Sequence, residues 1–461
     1  MTLDRTDSHR SRRSRRSRSQ SVSRSQSSIR RTRTNQSING KETPDHLHGH
    51  LNHLTPPQAR ALDEFKAACL EKNLYSPAAD EGRAASHDDP TLLRFLRARK
   101  FDVNGALQQF QTTEDWRKTN QIDALYENFD VDSYDEARRV YPQWTGRRDR
   151  RGIPIYVFVI KHLNSKSMAA YSSGTATNVT SSTHTSSTVP PRLLRLFALY
   201  ENMTRFVVPL CSSLPRPNPE TPISSTTNIV DVSGVGLKQF WNLKGHMQDA
   251  SVLATAHYPE TLDRIYVIGA PYFFPTVWGW IKRWFGPVTT SKIYILSASE
   301  VKTTLTMFME PSSIPKRFGG ELDWEWEDMP NLDEPARELV GTLENLGPTA
   351  DGELTTTNIE KETSKTEEER KKNFTKGPIA WVKDRIEIFG SIGGKTRRKT
   401  VHVEQKQQLN DKPALDSNHN TEETTSSAST LSTPITPVLV PEVEKLALSP
   451  AQSHTTTAVP V

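Results

Sequence analysis

A chain of 461 residues exceeds one ordinary domain, yet only 34% of it is hydrophobic and 30 residues are proline. That composition excludes a core running the whole length and implies one packed unit with long polar tails. The net charge of +5 conceals an asymmetry: residues 1–34 hold eleven Arg against two Asp, +9, so the remaining 427 residues sum to −4. Two cysteines, Cys69 and Cys211, exclude a disulfide framework and point to a reducing, cytoplasmic compartment.

Residues 1–54 read as a disordered Arg/Ser-rich tail. The stretch lacks the apolar core of a secretory leader and has no aromatic residue to build a fold around. His46, His48, His50 and His53 read as a polar linker, because no Cys or carboxylate stands at ligand spacing. Order is predicted to begin at Thr55, an N-cap followed by Pro56 and Pro57. Leu62, Phe65, Cys69 and Leu70 recur at helical spacing, a second helix fits Pro90 to Arg99, and Asp102 caps a third. These form a helical unit over 55–140.

From 141 to 325 the pattern becomes α/β. Apolar runs at 153–160, 227–232, 264–268 and 292–296 predict strands covered on both faces. Helical patterns at 190–207, 237–257, 273–285 and 300–309 fall between and after them, which predicts a mainly parallel sheet flanked by helices. The Ser/Thr-rich insertion at 164–189 reads as a disordered loop. The apolar run Ile265 to Ile281 is broken by Gly269, Pro271, Pro275 and Gly279, so it reads as strand, turn and helix rather than a membrane span. The sequons at Asn178, Asn202 and Asn373 are expected to go unused. Residues 326–461 read as a mostly disordered tail with an apolar island at 377–394 that docks back on the domain.

Enzyme signatures fail on inspection. Gly234 and Gly236 follow a strand, but Gln239 replaces the third glycine of a dinucleotide fingerprint. Gly394-Lys395-Thr396 lacks the first glycine of a P-loop, since Phe389 stands there. No nucleophile and base recur at a meaningful spacing, so no catalysis and no cofactor are expected. The arginine tail would bind any polyanion, but without interleaved aromatics nucleic acid is disfavoured and an anionic membrane fits as well.

Five segments then become specific: LLRFLRARKFDV (92–103), YPQWTGRRDRRGIPIYV (141–157), NIVDVSGVG (228–236), the stretch from Tyr258 to Leu296, and IPKRFGGEL (314–322). Their order and spacing resemble the CRAL-TRIO lipid-binding domain with its N-terminal helical extension. Within that family they are most similar to fungal phosphatidylinositol/phosphatidylcholine transfer proteins of the secretory pathway. The resemblance covers residues 55–325. It implies a monomeric, non-enzymatic protein, cytoplasmic and peripheral to Golgi, endosome or ER membranes, whose ligand is phospholipid. A sterol-like ligand, or a membrane-sensing scaffold with an interaction tail, are the rival readings.

The resemblance also assigns residues. The inositol-phosphate contacts fall on Arg99, Lys100, Glu260, Thr289 and Lys292, types suited to a polyol and a phosphate. A gate over the cavity falls on Phe273, Phe274, Val277, Trp278, Trp280, Ile281, Trp284 and Phe285, an apolar run ending beside Lys282 and Arg283. The choline contacts fall on Thr145, Tyr156, Thr226 and Asn228. Only Tyr156 keeps the family's type, and Trp144 is expected to point away, so phosphatidylcholine as second ligand is disfavoured against another lipid.

Overall fold

The computed structural model describes residues 44–79, 83–163, 191–283, 287–341, 343, 374–382 and 385–403. The expected 164–189 loop, most of the N-terminal tail and the last residues of the C-terminal tail lie outside these.

Helices α1 (Pro56–Glu71), α2 (Asp89–Ala98) and α3 (Val103–Thr119) arise where their caps predict them. Asp88 accepts from Thr91 N at the head of α2, and Thr55 with Gln58 makes a capping box on α1. Their shared core is Leu62, Phe65, Leu92, Leu96 and Phe110, all nearly inaccessible. Order begins earlier than Thr55. Pro44–Leu47 is a 3-10 turn, Leu51 and Leu54 pack on this core, and Thr221 donates to Leu51 O at 3.3 Å. The histidine tract is therefore part of the fold, because it supplies apolar residues between the polar ones. Two short helices follow, α4 (Ile122–Glu127) and α5 (Val131–Arg138).

The main sheet has the order β1 (Gln143–Arg148), β2 (Pro154–Val159), β3 (Thr226–Asp231), β4 (Leu262–Ile268) and β5 (Ile293–Leu296). Pairs β2–β3, β3–β4 and β4–β5 are parallel, and β1 pairs antiparallel with β2. Strands that follow one another in order, joined by right-handed crossovers, put their connecting helices over one face. The first crossover is α6 (Pro191–Asn202), a π-turn at Met203–Val207 and α7 (Val208–Ser213). The second is α8 (Leu237–Asn242) and α9 (Lys244–His257), where one continuous helix was expected. The third carries α10 (Phe274–Ile281) and α11 (Pro287–Ser291). Helix α12 (Ala298–Phe308) closes the opposite face, where Phe308 meets Tyr266 at a ring distance of 6.0 Å.

Described structure continues past residue 325, contrary to the expected tail. Helix α13 (Glu334–Val340) buries Ala336 and Val340. Beyond it β6 (Ile379–Val382), β7 (Arg385–Ile388), the hairpin β8 (Ser391–Ile392) and β9 (Lys395–Thr396), and β10 (Lys399–His402) follow. Strands β10, β7 and β6 form an antiparallel sheet. Ile379, Ile386 and Ile388 share a core with Trp144, Phe206 and Leu332. The apolar island thus docks, as strands, and the alternation in Arg385-Ile386-Glu387-Ile388 carried the signal.

Candidate functional site

The two faces of the main sheet differ. On the α12 side Ile155, Val157, Ile229 and Tyr266 are fully inaccessible. On the crossover side Tyr156, Asn228, Val230, Ile265 and Ile293 are only partly buried, and Ile295 is 37% exposed. The register aligns these into two rows. One runs Trp144, Tyr156, Asn228, Ile265, Ile293, and the next Phe158, Val230, Val267, Ile295. A parallel sheet is ordinarily sealed on both faces. The apolar side chains Val230 of β3 and Ile265 of β4 stay partly uncovered on the face the crossover helices overlie. Half-buried apolar side chains of α6 (Tyr200), α9 (Met247) and α10 (Trp278) pack on the same core.

At the N-terminal ends of β4 and β5 this face meets charge. Lys292 Nζ donates to Glu260 Oε2 at 3.2 Å and to Leu262 O at 2.7 Å. Glu260 sits at φ +57°, a left-handed conformation that a non-glycine residue adopts at some energetic expense, which is frequent at binding sites. Arg264, a plausible partner for Glu260 by helical spacing, instead lies over the Phe308 ring at 4.3 Å on the sealed side. Thr289, half-buried in α11, accepts from Lys292 N through its carbonyl at 3.1 Å. Arg99 and Lys100 are exposed at the end of α2, and among the described residues their side chains make no hydrogen bond or ion pair. Of the five expected head-group residues, the structure therefore joins Glu260 and Lys292 directly and Thr289 through the chain.

Arg97 was missed. Its guanidinium donates to Ser224 Oγ at 3.2 Å and leaves Nε buried without a partner. Burial pulls its pKa down to about 10 against the opposing charge of Glu260. The signal was available, since Arg97 belongs to the same LLRFLRARK run as Arg99.

The second-lipid residues need correction. Trp144 pairs with Tyr156 across β1–β2, so these two share a face. Thr145 is fully buried, and its hydroxyl donates to Ile155 O at 3.1 Å and accepts from Arg147 N at 3.2 Å. It does not belong with Tyr156; Trp144 does. Thr226 donates to Thr261 O at 3.2 Å and accepts from Asn228 Nδ2 at 3.0 Å, so these two polar groups satisfy each other. Around Tyr156 lies a cleft open to solvent, lined also by Tyr134, Trp144, Phe206, Phe374 and Lys376. Trp144 Nε1 is buried there without a partner.

The segment expected to act as a gate packs against the core. Phe274 and Val277 are buried in the main core, and Phe274 stands edge-to-face with Phe240 of α8 at 6.4 Å. Phe273 and Trp278 are half-buried, and Trp280 is 44% exposed. Trp284, Phe285 and the side chain of Ile281 lie outside the described residues. No helix among the described residues is long and apolar enough to cross a membrane, and none of their His, Cys, Asp and Glu side chains cluster as metal ligands.

Fold and site thus define an α/β protein whose mainly parallel sheet leaves one apolar face partly uncovered beside a Glu–Lys pair. The CRAL/TRIO domain family matches residues 138–320 and the CRAL/TRIO N-terminal domain family residues 61–112; the chain belongs to the CRAL/TRIO family. The chain is 33% identical over 61% of its length to the SEC14 cytosolic factor of Yarrowia lipolytica, spanning 51% of that protein. To the SEC14 cytosolic factor of Kluyveromyces lactis it is 31% identical, over 60% of this chain and 82% of the other. To the phosphatidylinositol/phosphatidylcholine transfer protein SFH9 of Arabidopsis thaliana it is 30% identical, over 57% and 41%. The 374–403 strands lie beyond the matched family residues.

Proposed function

We propose that the chain binds phosphatidylinositol and transfers it between membranes or presents it to lipid-modifying enzymes, without covalent chemistry or cofactor. The observation that carries this reading is the half-open apolar face of β3–β5 ending at the Glu260–Lys292 pair. Acyl chains would lie on the Ile265–Ile293 and Val267–Ile295 pairs. Lys292, Thr289 and Arg97 would meet the phosphate, and Glu260 the inositol hydroxyls; Arg99 and Lys100 would close over the head group from α2. Exchange would occur when α10 lifts off α8 at a bilayer, with the protein a cytoplasmic monomer, peripheral to secretory-pathway membranes. A second lipid head group would occupy the cleft at Tyr156, beside Trp144 and the Thr226–Asn228 pair. Similarity to a protein named for both phosphatidylinositol and phosphatidylcholine supports a two-ligand reading.

Mass spectrometry of lipids co-purifying with the full chain tests this. Phosphatidylinositol at near-stoichiometric occupancy is the expected result; a sterol in its place, or no lipid, refutes it.

A further inference from the structure

Residues 44–54 lie ahead of the matched family residues, yet they form a strap fastened at several points. Leu51 and Leu54 pack on the helical core. Thr221 donates to Leu51 O at 3.3 Å, Asn52 Nδ2 donates to Glu220 O, and His53 Nε2 lies 3.4 Å from Glu220 Oε1. Gly49 at φ +77° and Asn52 at φ +67° both hold the left-handed conformation, which a merely polar linker has no reason to fix.

The loop that receives the strap is itself braced. Arg216 spreads its guanidinium over the carbonyls of Ser212, Leu214, Pro219 and Thr221. Ser224, at the end of that loop, accepts from Arg97 Nη2 at 3.2 Å. Two residues on, Thr226 N donates to Thr261 O at 2.9 Å, which ties the loop to the residue after Glu260. The strap, the 216–224 loop and Arg97 thus share one corner with the Glu260–Lys292 pair.

Within that corner the strap lies directly on Arg97. A β-carbon at buried Gly49 would stand 3.5 Å from Arg97 Cδ and 3.2 Å from the Phe101 ring, so glycine lets the chain pass this close. His50 follows. Burial and then the Arg97 charge keep its imidazole neutral, so the strap brings no like charge against the guanidinium. Arg97 itself has one bond, to Ser224, and a buried Nε without a partner. Those contacts alone would leave a long side chain several rotamers; the strap removes them, and such preorganisation raises affinity for whatever the side chain meets.

We infer that the 44–54 strap is a positioning element of the head-group site, with Gly49 and His50 holding the Arg97 guanidinium toward Glu260 to meet a ligand's phosphate. The inference rests on the phosphatidylinositol reading for the identity of that ligand. It goes beyond that reading in giving the site a wall from outside the matched family residues.

The test is a double-mutant cycle on the full chain. It is read by phosphatidylinositol transfer from vesicles of phosphatidylinositol and phosphatidylcholine, and by melting temperature. Arg97→Ala should slow transfer about tenfold or more, through loss of a charge-assisted bond to phosphate. Gly49→Val should slow it about fivefold or more, because its side chain displaces Arg97. Placed on Arg97→Ala, Gly49→Val should slow transfer no further, although it lowers the melting temperature in both backgrounds. Asn52→Gly keeps the left-handed turn and removes the bond to Glu220 O, so it serves where the valine variant does not fold. It should slow transfer severalfold with Arg97 present and not without it. Additive effects in the cycle overturn the inference, because the strap would then be merely structural. Normal transfer by a folded Gly49→Val or by Arg97→Ala overturns it too. The transfer reading survives all of these results. It falls only where the wild-type chain transfers no phosphatidylinositol, and the inference falls with it.

Discussion

Lys292 shows how little geometry separates a structural ion pair from a ligand site. With Glu260 24% and Lys292 25% exposed at the side chain, their pair contributes roughly 0–1 kcal/mol to stability. Lys292→Ala should therefore leave the melting temperature nearly unchanged. It should weaken phosphatidylinositol transfer ten- to over a hundredfold, since a sheltered phosphate would lose about 1.5–3 kcal/mol of charge-assisted bonding. Normal transfer by the folded variant would count against the site. Glu260→Gln should weaken the same ligand with less effect on a lipid lacking inositol. Thr145 carries the opposite lesson. By resemblance alone, Thr145→Tyr with Asn228→Thr is expected to improve choline-lipid transfer. Thr145 is fully buried and hydrogen-bonded to Ile155 O, so a tyrosine there overpacks the core and should destabilise by about 1–3 kcal/mol without helping any ligand. Thermal melts of the single variant decide between the two. Alternation places Trp144 and Thr145 on opposite faces, but which of them joins Tyr156 depends on the β1–β2 register, and sequence does not show that register.

At the level of elements, legibility followed composition. Strands β2 to β5 were readable because strands of a parallel sheet are near-continuous runs of β-branched and aromatic residues. Strand β1, Gln-Trp-Thr-Gly-Arg-Arg, was not, because an antiparallel edge strand needs neither. The break between α8 and α9 falls at Leu243, with Asn242 before it and Gly245 two residues after, a weak signal inside an otherwise helical run. The pairing of Glu260 with Lys292 spans 32 residues and was legible only through family resemblance. The C-terminal strands were visible as an apolar island, but their anchor was not: Tyr126 Oη donates to Ile379 O at 2.7 Å and accepts from Ile379 N at 2.9 Å, with the tyrosine fully buried. Tyr126→Phe leaves both backbone groups without that partner and should lower stability by about 2–4 kcal/mol. Truncation before residue 374 removes Ile379, Ile386 and Ile388, uncovers the Trp144–Phe206 side of the core they pack on, and should lower the melting temperature further. A truncated chain as stable as the full one would show that the strands are an appendage rather than a wall of the cleft.

Across the whole molecule, the helical unit and the sheet domain are joined by buried charge. Glu201 on α6 accepts from Arg117 of α3 at 2.7 and 3.1 Å, from Arg205 at 2.6 Å and from Tyr258 at 2.6 Å. Burial alone would raise the Glu201 pKa, but Arg117 and then Arg205 and Tyr258 hold it down to about 2. Beside it His257 stacks on Trp116 with centroids 4.1 Å apart, and burial followed by the Arg117 charge lowers its pKa to about 4. His50, packed near Arg97, is lowered to about 3 by burial and then by that arginine. All three groups bind protons less readily folded than unfolded, so acid favours unfolding at each. The histidine contribution is complete above the unfolded value of 6.5 and is lost as pH falls from there toward 4 and 3. The glutamate contribution, about 3 kcal/mol by linkage, is complete above 4.5 and lost as pH falls toward 2. Stability should therefore decline in two stages on acidification, beginning near pH 6.5 and steepening below pH 4.5, while rising little from pH 7 to 8. Denaturant titrations at stepped pH read this directly. Glu201→Gln takes the buried carboxylate from Arg117 and Arg205, leaving them only the exposed Asp123, and should lower stability by about 1–3 kcal/mol at neutral pH. It should also flatten the stage below pH 4.5 while leaving the histidine stage in place. If the variant keeps the lower stage intact, the joint between the two units is not what acid breaks.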